Sequence, residues 1–526
     1  DARSRHLHWC LAETDALREA LEFGRPDALT KFDQIADELR GALDWAAAKP
    51  DQRVAGHRLA IRLAELCFAR GLPGEAQRRY EQAAVLAADD HDAASALHHA
   101  ASAAEIRHFG GEAIRLHRAC ASAALRAGER PRAAYHLAQI AELIGRGPGL
   151  MPEPTRLGAA EVIAEASALV DGDPAAAARV VIAEGFNYRE LDPTTTDLAE
   201  RGIALARRAG DTLAESAALD LQTSAQLTRG DIRGAAASAQ RRTELLAPLR
   251  WQPIACGLEL FDAYQMAAET AIAAGDLAAA RKFAEDVRDL PFYREEGHLA
   301  TSRLLVVTAL SGDWDEMDAF GGRFLEGWER AGRPRAGNLN RGPYAAAAAC
   351  ELRGDDEGQA SWMAVVDGLT RTDKPISEIH HGEFFDALVL IHHGRPAEAV
   401  STLSAAPEDF RDSHSGLWRP WYAALWAEAA VLAGDAAAAN RISRARQCSS
   451  GNPIALAIVD RSAALARGDR NAMLAAAERL RAAGCRYQRA RTLVLAGGRD
   501  RSRGEAELAA MGATPMALDL PEQLSR

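Results

Sequence analysis

Three histidine pairs, His98-His99, His380-His381 and His392-His393, are the first residues whose type suggests chemistry, because imidazole binds metals and carries protons. Neighbours on a helix point about 100° apart, so an adjacent pair cannot clamp one ion as residues four apart can. His6-x-His8-x-Cys10 has strand spacing inside sequence that reads as helix, and no H-E-x-x-H occurs. These histidines are therefore expected to be exposed or hydrogen-bonded rather than metal ligands. The acidic pairs Asp89-Asp90, Asp355-Asp356 and Glu295-Glu296 lack the D-D-x-x-D spacing that gathers three carboxylates on one helical face for magnesium. No G-x-x-x-x-G-K-[ST] is present, and Gly145-x-Gly147-x-Gly149 has neither the further glycine nor the lysine of a phosphate-cradling loop. The chain offers no catalytic residue, cofactor site or metal site, and it is not expected to be an enzyme.

Other residue groups have the composition of a recognition surface. Gly327-Trp328-Glu329-Arg330-Ala331-Gly332-Arg333-Pro334-Arg335-Ala336-Gly337-Asn338 sets a tryptophan beside three arginines, types enriched where partners bind most tightly. The candidates there are Trp328, Arg330, Arg333, Arg335 and Asn338. Trp418-Arg419-Pro420-Trp421-Tyr422, followed by Trp426, is a second aromatic group, with Trp418, Arg419 and Trp421 as candidates. Spacing by four and eight also makes Trp418, Tyr422 and Trp426 an ordinary core stripe. A third stretch, Pro291 to His298, carries Arg294, Glu295 and Glu296 in a connection between hairpins. All eleven are candidates for contact with a partner.

What must position them is helix. Glycines recur at Gly71, Gly110, Gly230, Gly275, Gly312, Gly354, Gly394, Gly434 and Gly468, and from Gly230 the gaps are 45, 37, 42, 40, 40 and 34 residues. That is the period of two helices and two turns. In Ala274-Gly275-Asp276-Leu277 the glycine suits the left-handed position that ends one helix, and the aspartate can cap the next. Gly71-Leu72-Pro73 and Gly394-Arg395-Pro396 instead put proline in the opening turn, where its missing N–H is not needed. Five residues after the glycine a small or flexible residue returns, as Ala76, Ala235, Ala280, Met317, Ala399, Ala439 and Met473. A narrow side chain fits where two helices of a hairpin approach. The pattern predicts an all-α fold, an α-solenoid of tetratricopeptide-like hairpins, whose curved groove would take a partner.

The organisation expected from this pattern is N-terminal hairpins over 1–145, an irregular Gly/Pro loop with connecting helices over 146–195, and a regular hairpin array over 196–526. The first helices are expected near 4–23 and 27–48. Of 526 residues, 48% are hydrophobic but only 6% aromatic, so alanine and leucine do the filling. No run of eighteen apolar residues occurs, which argues against a membrane span. Seven cysteines stand singly without a C-x-x-C pair and read as reduced core thiols of a cytoplasmic protein. A net charge of −12 argues against binding nucleic acid through its phosphates. The start, Asp1-Ala2-Arg3, has no initiator methionine or signal peptide and reads as part of a longer polypeptide.

Gly71, Ala76, Tyr80 and Ala83 resemble the second half of the tetratricopeptide motif, while its first-helix tryptophan, leucine and tyrosine are not evident. Asp37-Glu38-Leu39-Arg40-Gly41-Ala42-Leu43-Asp44-Trp45-Ala46 resembles the "NLRAALxWA" helix that follows the nucleotide-binding module of large actinobacterial signalling ATPases, with Glu38 at the usual asparagine. AfsR-like regulators, large LuxR-type and MalT-like activators and cyclase–ATPase fusions belong to that group. The Gly145–Pro154 loop and the tail Leu508–Ala517 are also similar to those proteins. The resemblance implies a regulatory protein-interaction or effector-sensing scaffold in signal transduction or transcription regulation. Its partner would be a protein or peptide, the ATPase module of its own parent polypeptide included. A free-standing peptide or small-molecule receptor, or an all-α enzyme, is the alternative. Ligand-dependent thermal stabilisation would mark the receptor, and turnover lost with one or two carboxylates the enzyme.

Overall fold

The structure, a computed structural model, describes residues 2–22, 25, 27–146, 158–188, 194–249, 253–290, 297–370, 380–410 and 412–517. Among these residues there is helix and no strand. The chain divides into two compact units, Asp1–Leu221 with Glu244–Asp262, and Gln222–Thr243 with Ala263–Arg526. The division falls inside helices, and most of the Gly/Pro loop expected over 146–195 lies outside the described residues. No described helix is long and apolar enough to cross a membrane.

The first unit holds α1 (Ala2–Glu22), α2 (Ala28–Ala47), α3 (Arg53–Ala69), α4 (Pro73–Leu86), α5 (Asp90–Ile106), α6 (Gly110–Arg126), α7 (Arg130–Arg146), α8 (Ala159–Ser167), α9 (Pro174–Asn187) and α10 (Thr194–Ala209). Helices α11 (Thr212–Arg229), α12 (Ile232–Leu246) and α13 (Pro253–Ala273) contribute to both units. The second unit continues with α14 (Leu277–Arg288), α15 (Gly297–Ser311), α16 (Trp314–Arg330), α17 (Arg341–Leu352), α18 (Asp356–Leu369), α19 (His381–His392) and α20 (Pro396–Thr402). It ends with α21 (Ser413–Leu432), α22 (Ala438–Cys448), α23 (Pro453–Ala466), α24 (Arg470–Ala482), α25 (Arg486–Ala496) and α26 (Gly498–Ala510).

Each unit is a helical-repeat solenoid in which consecutive helices pack on one another. Helix α4 illustrates why: Pro73 opens it, and Ala76, Tyr80 and Ala83, at helical spacing, are all buried against its neighbours. In the first unit, a cluster that includes Cys120, Leu137, Ile140, Val162 and Val180 ties α6 to α9. In the second, α15, α17, α19, α21, α23 and α25 also touch in turn, forming an inner layer with the even-numbered helices outside.

The turns follow the glycine rule with one exception. Gly275 has φ +69°, the amide of Asp276 donates to Ala271 O at 2.9 Å, and the Asp276 carboxylate accepts from the Ala279 amide at 2.9 Å. At Gly110 the rule shifts by two residues. His108 takes the left-handed conformation at φ +60°, the Phe109 amide donates to Ala104 O at 3.0 Å, and Gly110 is already the first residue of α6. Asp313, expected to cap α16, makes no side-chain cap bond and instead accepts from Arg486 at 2.7 Å. After Gly434 the Asp435 carboxylate binds the Ala437 amide, α22 starts late, and Ala439 is exposed rather than packed. The other six small or flexible residues are buried.

Candidate functional site

Arg294, Glu295 and Glu296 lie outside the described residues. Of the arginine loop, Arg330, Arg333 and Arg335 are exposed. Trp328 is not: it is 7% exposed, its indole N–H donates to Pro334 O at 3.0 Å, and its ring packs on Gly368 of α18. A Cβ at Gly368 would come within 2.7 Å of that ring. Arg333 has φ +56°, with its guanidinium 5.8 Å from the Trp328 ring centroid and 2.8 Å from Glu329. Asn338 is half-buried. The loop thus displays its arginines around an anchored tryptophan.

Trp418, Arg419 and Trp421 do not form a surface. They are 3%, 8% and 0% exposed on α21, which is buried almost along its whole length. A stripe at spacing four would bury one face. The other faces are covered because the C-terminal part of the unit returns to the ends of earlier inner helices. Arg419 Nη2 donates to Thr228 O of α11 at 3.3 Å, and Trp421 Nε1 to Ile272 O of α13 at 2.8 Å. Asn452 Nδ2 donates to Ala273 O of α13 at 2.9 Å, and Cys485 Sγ to Leu310 O of α15 at 3.2 Å. The amides of Thr514 and Ala517 donate to Leu352 O of α17 and His392 O of α19, both at 2.9 Å. The last carbonyls of a helix have no partner within it, and here the ends of α11, α13, α15, α17 and α19 are met by residues far along the chain. At these ends the unit's own later segments, rather than solvent, meet the helices.

This closure places charged side chains inside. Glu428 of α21 accepts from Arg461 Nη2 at 2.7 Å and Arg491 Nη2 at 3.1 Å, and all three are at most 1% exposed. Arg461 also donates to Thr492 Oγ1 at 2.9 Å, and Gln488 Oε1 accepts from both arginines, at 3.1 and 2.8 Å. Burial brings Arg461 down to about 10 against the pull of Glu428. Beside them Tyr487 donates to His392 Nδ1 at 3.0 Å, and His392 Nε2 donates to Thr514 O at 2.9 Å. Burial, helped by Arg491, lowers His392 to about 4, so the imidazole is neutral with its proton on Nε2.

A second interior centre gathers Glu269 of α13, Arg303 of α15 and Arg341 of α17. One carboxylate oxygen of Glu269 pairs with both guanidiniums, and the three side chains are 5–7% exposed. Burial pushes the Glu269 carboxyl up, and Arg303 and Arg341 outweigh it, holding it at about 2. His381, the first residue of α19, is fully buried and lowered to about 3 by burial and then by Arg341. Its ring lies 5.6 Å from that of Tyr344 and 6.0 Å from that of Trp418.

The first unit has its own polar interior. His117 Nε2 donates to Glu105 at 2.7 Å, and its Nδ1 shares a hydrogen bond with His136 Nδ1 at 3.1 Å, with the His98 ring 5.2 Å from His136. Burial drives His98 to about 3 and His136 well below the ordinary range. Arg146 at the end of α7 donates to Glu142, Asp220, Glu259 and Asp262 at 2.6–3.1 Å. Among the described residues no three His, Cys, Asp or Glu side chains converge on a common metal position. The arginines and acids of these interiors were not nominated from sequence, because arginines and glutamates at helical spacing read as a solvated face. Of the histidines expected to be exposed or hydrogen-bonded, His392 is buried and hydrogen-bonded, whereas His381 is buried with neither ring nitrogen bonded within the chain.

The fold and these interiors define a helical-repeat protein, an all-α solenoid of antiparallel hairpins. No protein-family model and no curated protein matches the chain. Among solved structures it is similar to a circular tandem repeat protein with novel repeat topology and enhanced subunit contact surfaces. That match has 15% identity and a TM-score of 0.15, covering 97% of this chain and 96% of the other. A score that low lends the comparison no weight, and the fold rests on the helices described above.

Proposed function

We propose that this chain is the regulatory scaffold, effector-sensing or protein-binding, of a cytoplasmic actinobacterial signalling ATPase or transcription regulator of the AfsR-like, large LuxR-type or MalT-like kind. The observation that carries the reading is the Asp37–Ala46 segment heading a helical-repeat array. In α2 its Leu39, Ala42, Leu43 and Ala46 form the buried stripe that the array builds upon. A repeat scaffold presents surface and interior rather than catalytic groups, which suits a module that transmits an effector's presence to an attached or bound ATPase. The exposed arginines Arg330, Arg333 and Arg335, held around Trp328, are the proposed contact for an acidic patch on that partner.

The test is affinity capture with this chain as bait in lysate of its own organism, read by mass spectrometry together with a scan for co-purified small molecules. Recovery of an ATPase or regulator module, lost in the Arg333→Glu/Arg335→Glu variant with helicity unchanged, supports the reading. Unchanged capture by that variant removes the arginine loop from it. Turnover of a recovered metabolite by the purified chain would overturn the scaffold assignment in favour of an enzyme.

A further inference from the structure

The two arginine pairs inside the second unit differ in how completely their hydrogen bonds are met. Around Glu428 the carboxylate, Gln488 and Thr492 take up the guanidinium donors, and only the two Nε atoms lack a partner. Around Glu269 several buried atoms have none: Gln265 Nε2, Asn340 Oδ1, Arg341 Nε, and both ring nitrogens of His381. These residues are 5%, 2%, 4% and 0% exposed. They belong together. Gln265 stands one turn before Glu269 on α13, Asn340 adjoins Arg341 at the start of α17, and His381 is in electrostatic contact with Arg341 and Glu269. Native interiors seldom leave such groups unmet within the chain, so a cluster of them is a place where a polar molecule can be held.

The inventory of unmet groups describes that partner. Arg341 Nε–H and the Gln265 amide are donors, one of them on a cation, and suit a carboxylate. Asn340 Oδ1 is an acceptor, and a neutral His381 supplies one donor and one acceptor, so the partner must itself donate a hydrogen bond. A phosphomonoester dianion offers acceptors alone. The rings of Tyr344 and Trp418 stand 5.6 and 6.0 Å from that of His381 and would be the apolar neighbours of a short carbon chain. Resting on the effector-sensing reading above, we propose that this centre is the effector site of the second unit and takes a small hydroxy- or amino-carboxylate. The carboxylate faces Arg341 and Gln265, and the hydroxyl or ammonium faces Asn340 and His381.

The test is calorimetric titration of the full chain with L-lactate, L-malate, L-alanine and L-aspartate, with thermal melts over the same concentrations. Mass spectrometry of small molecules released on denaturing the freshly purified chain accompanies them. Saturable binding of a probe, or release of a compound of this class, is expected. Gln265→Glu, which swaps a donor for a repelling carboxylate of the same shape, should weaken that binding by at least about tenfold. Should that variant fail to fold, Asn340→Leu tests the acceptor side. No probe bound, no such compound released, and Asn340→Leu melting higher than wild type would mean that only water fills the centre, and would overturn the proposal. The two readings fail separately. A captured regulator with no bound carboxylate removes the site and keeps the scaffold, whereas a bound carboxylate that leaves partner capture unchanged keeps the site and removes its effector role.

Discussion

Replacing Asn452 should cost more than any ordinary helix cap, because its amide serves two helices at once. Its Oδ1 accepts from the Ala455 amide at 2.8 Å and caps α23, while its Nδ2 donates to Ala273 O at 2.9 Å and completes the end of α13, 179 residues earlier. The side chain is fully buried, so water cannot replace either bond. Loss of the cap is worth about 1 kcal/mol. Leaving the Ala273 carbonyl unmet adds about 1–3 kcal/mol. Asn452→Ala should therefore destabilise the second unit by about 2–4 kcal/mol. Urea denaturation read through tryptophan fluorescence measures it, since Trp418, Trp421 and Trp426 all sit on α21 in this unit. Asn452→Asp separates the two roles. It keeps the acceptor for Ala455 but sets a negative charge against the negative end of α13, and its cost should be at least about 2 kcal/mol. If Asn452→Asp lies within about 0.5 kcal/mol of wild type, the bond to α13 carries nothing and the reasoning fails.

Glu428→Gln strips the shared carboxylate from two arginines that are wholly buried, and should cost about 3–5 kcal/mol in the same denaturation. His392 falls from its ordinary 6.5 to about 4 in the folded chain, so the unfolded chain binds the proton first. Stability from this group is complete above about pH 6.5 and declines as pH falls toward 4, by about 2 kcal/mol at pH 5. Melting temperature against pH should accordingly be flatter in His392→Gln. Ala439→Glu should change stability by less than about 0.5 kcal/mol, whereas Ala280→Leu, at the matching position of an earlier hairpin, should cost about 1–3 kcal/mol by overpacking. Paired melts of the two variants check the shifted start of α22.

Local signals were legible and distant ones were not. Gly275 and Asp276 are read from their own types, because a left-handed residue and a cap are demands of the local backbone. His108 was invisible as a left-handed residue, since the two glycines that follow it are the obvious candidates and an interior contact decides otherwise; its ring meets that of Phe261 edge-on at 5.0 Å. The tryptophans of α21 read as a core stripe or a surface, and proved buried, Trp418 against His381, Phe384 and Phe385 of α19, and Trp421 against Phe384 with an indole bond to Ile272, 149 residues earlier. Arg461, Arg491 and Glu269 share the helical spacing of solvated residues, so only the wrapping of the unit places them inside. The candidate effector centre was missed for that reason: His381 was marked only as half of a histidine pair, and Asn340 with Arg341, two polar residues opening a helix at Leu339-Asn340-Arg341-Gly342-Pro343, carried no signal of burial.

Repeat arrays commonly grow and shrink by whole hairpins, because each unit answers only to its neighbours. In the second unit that freedom is gone. Arg419, Trp421, Asn452, Cys485, Thr514 and Ala517 meet the ends of α11, α13, α15, α17 and α19 in matching order, as teeth meet a rack. Inserting or deleting one hairpin between Gly275 and Gly434 would slide every later donor past its carbonyl, so the number of repeats is locked by the closure itself.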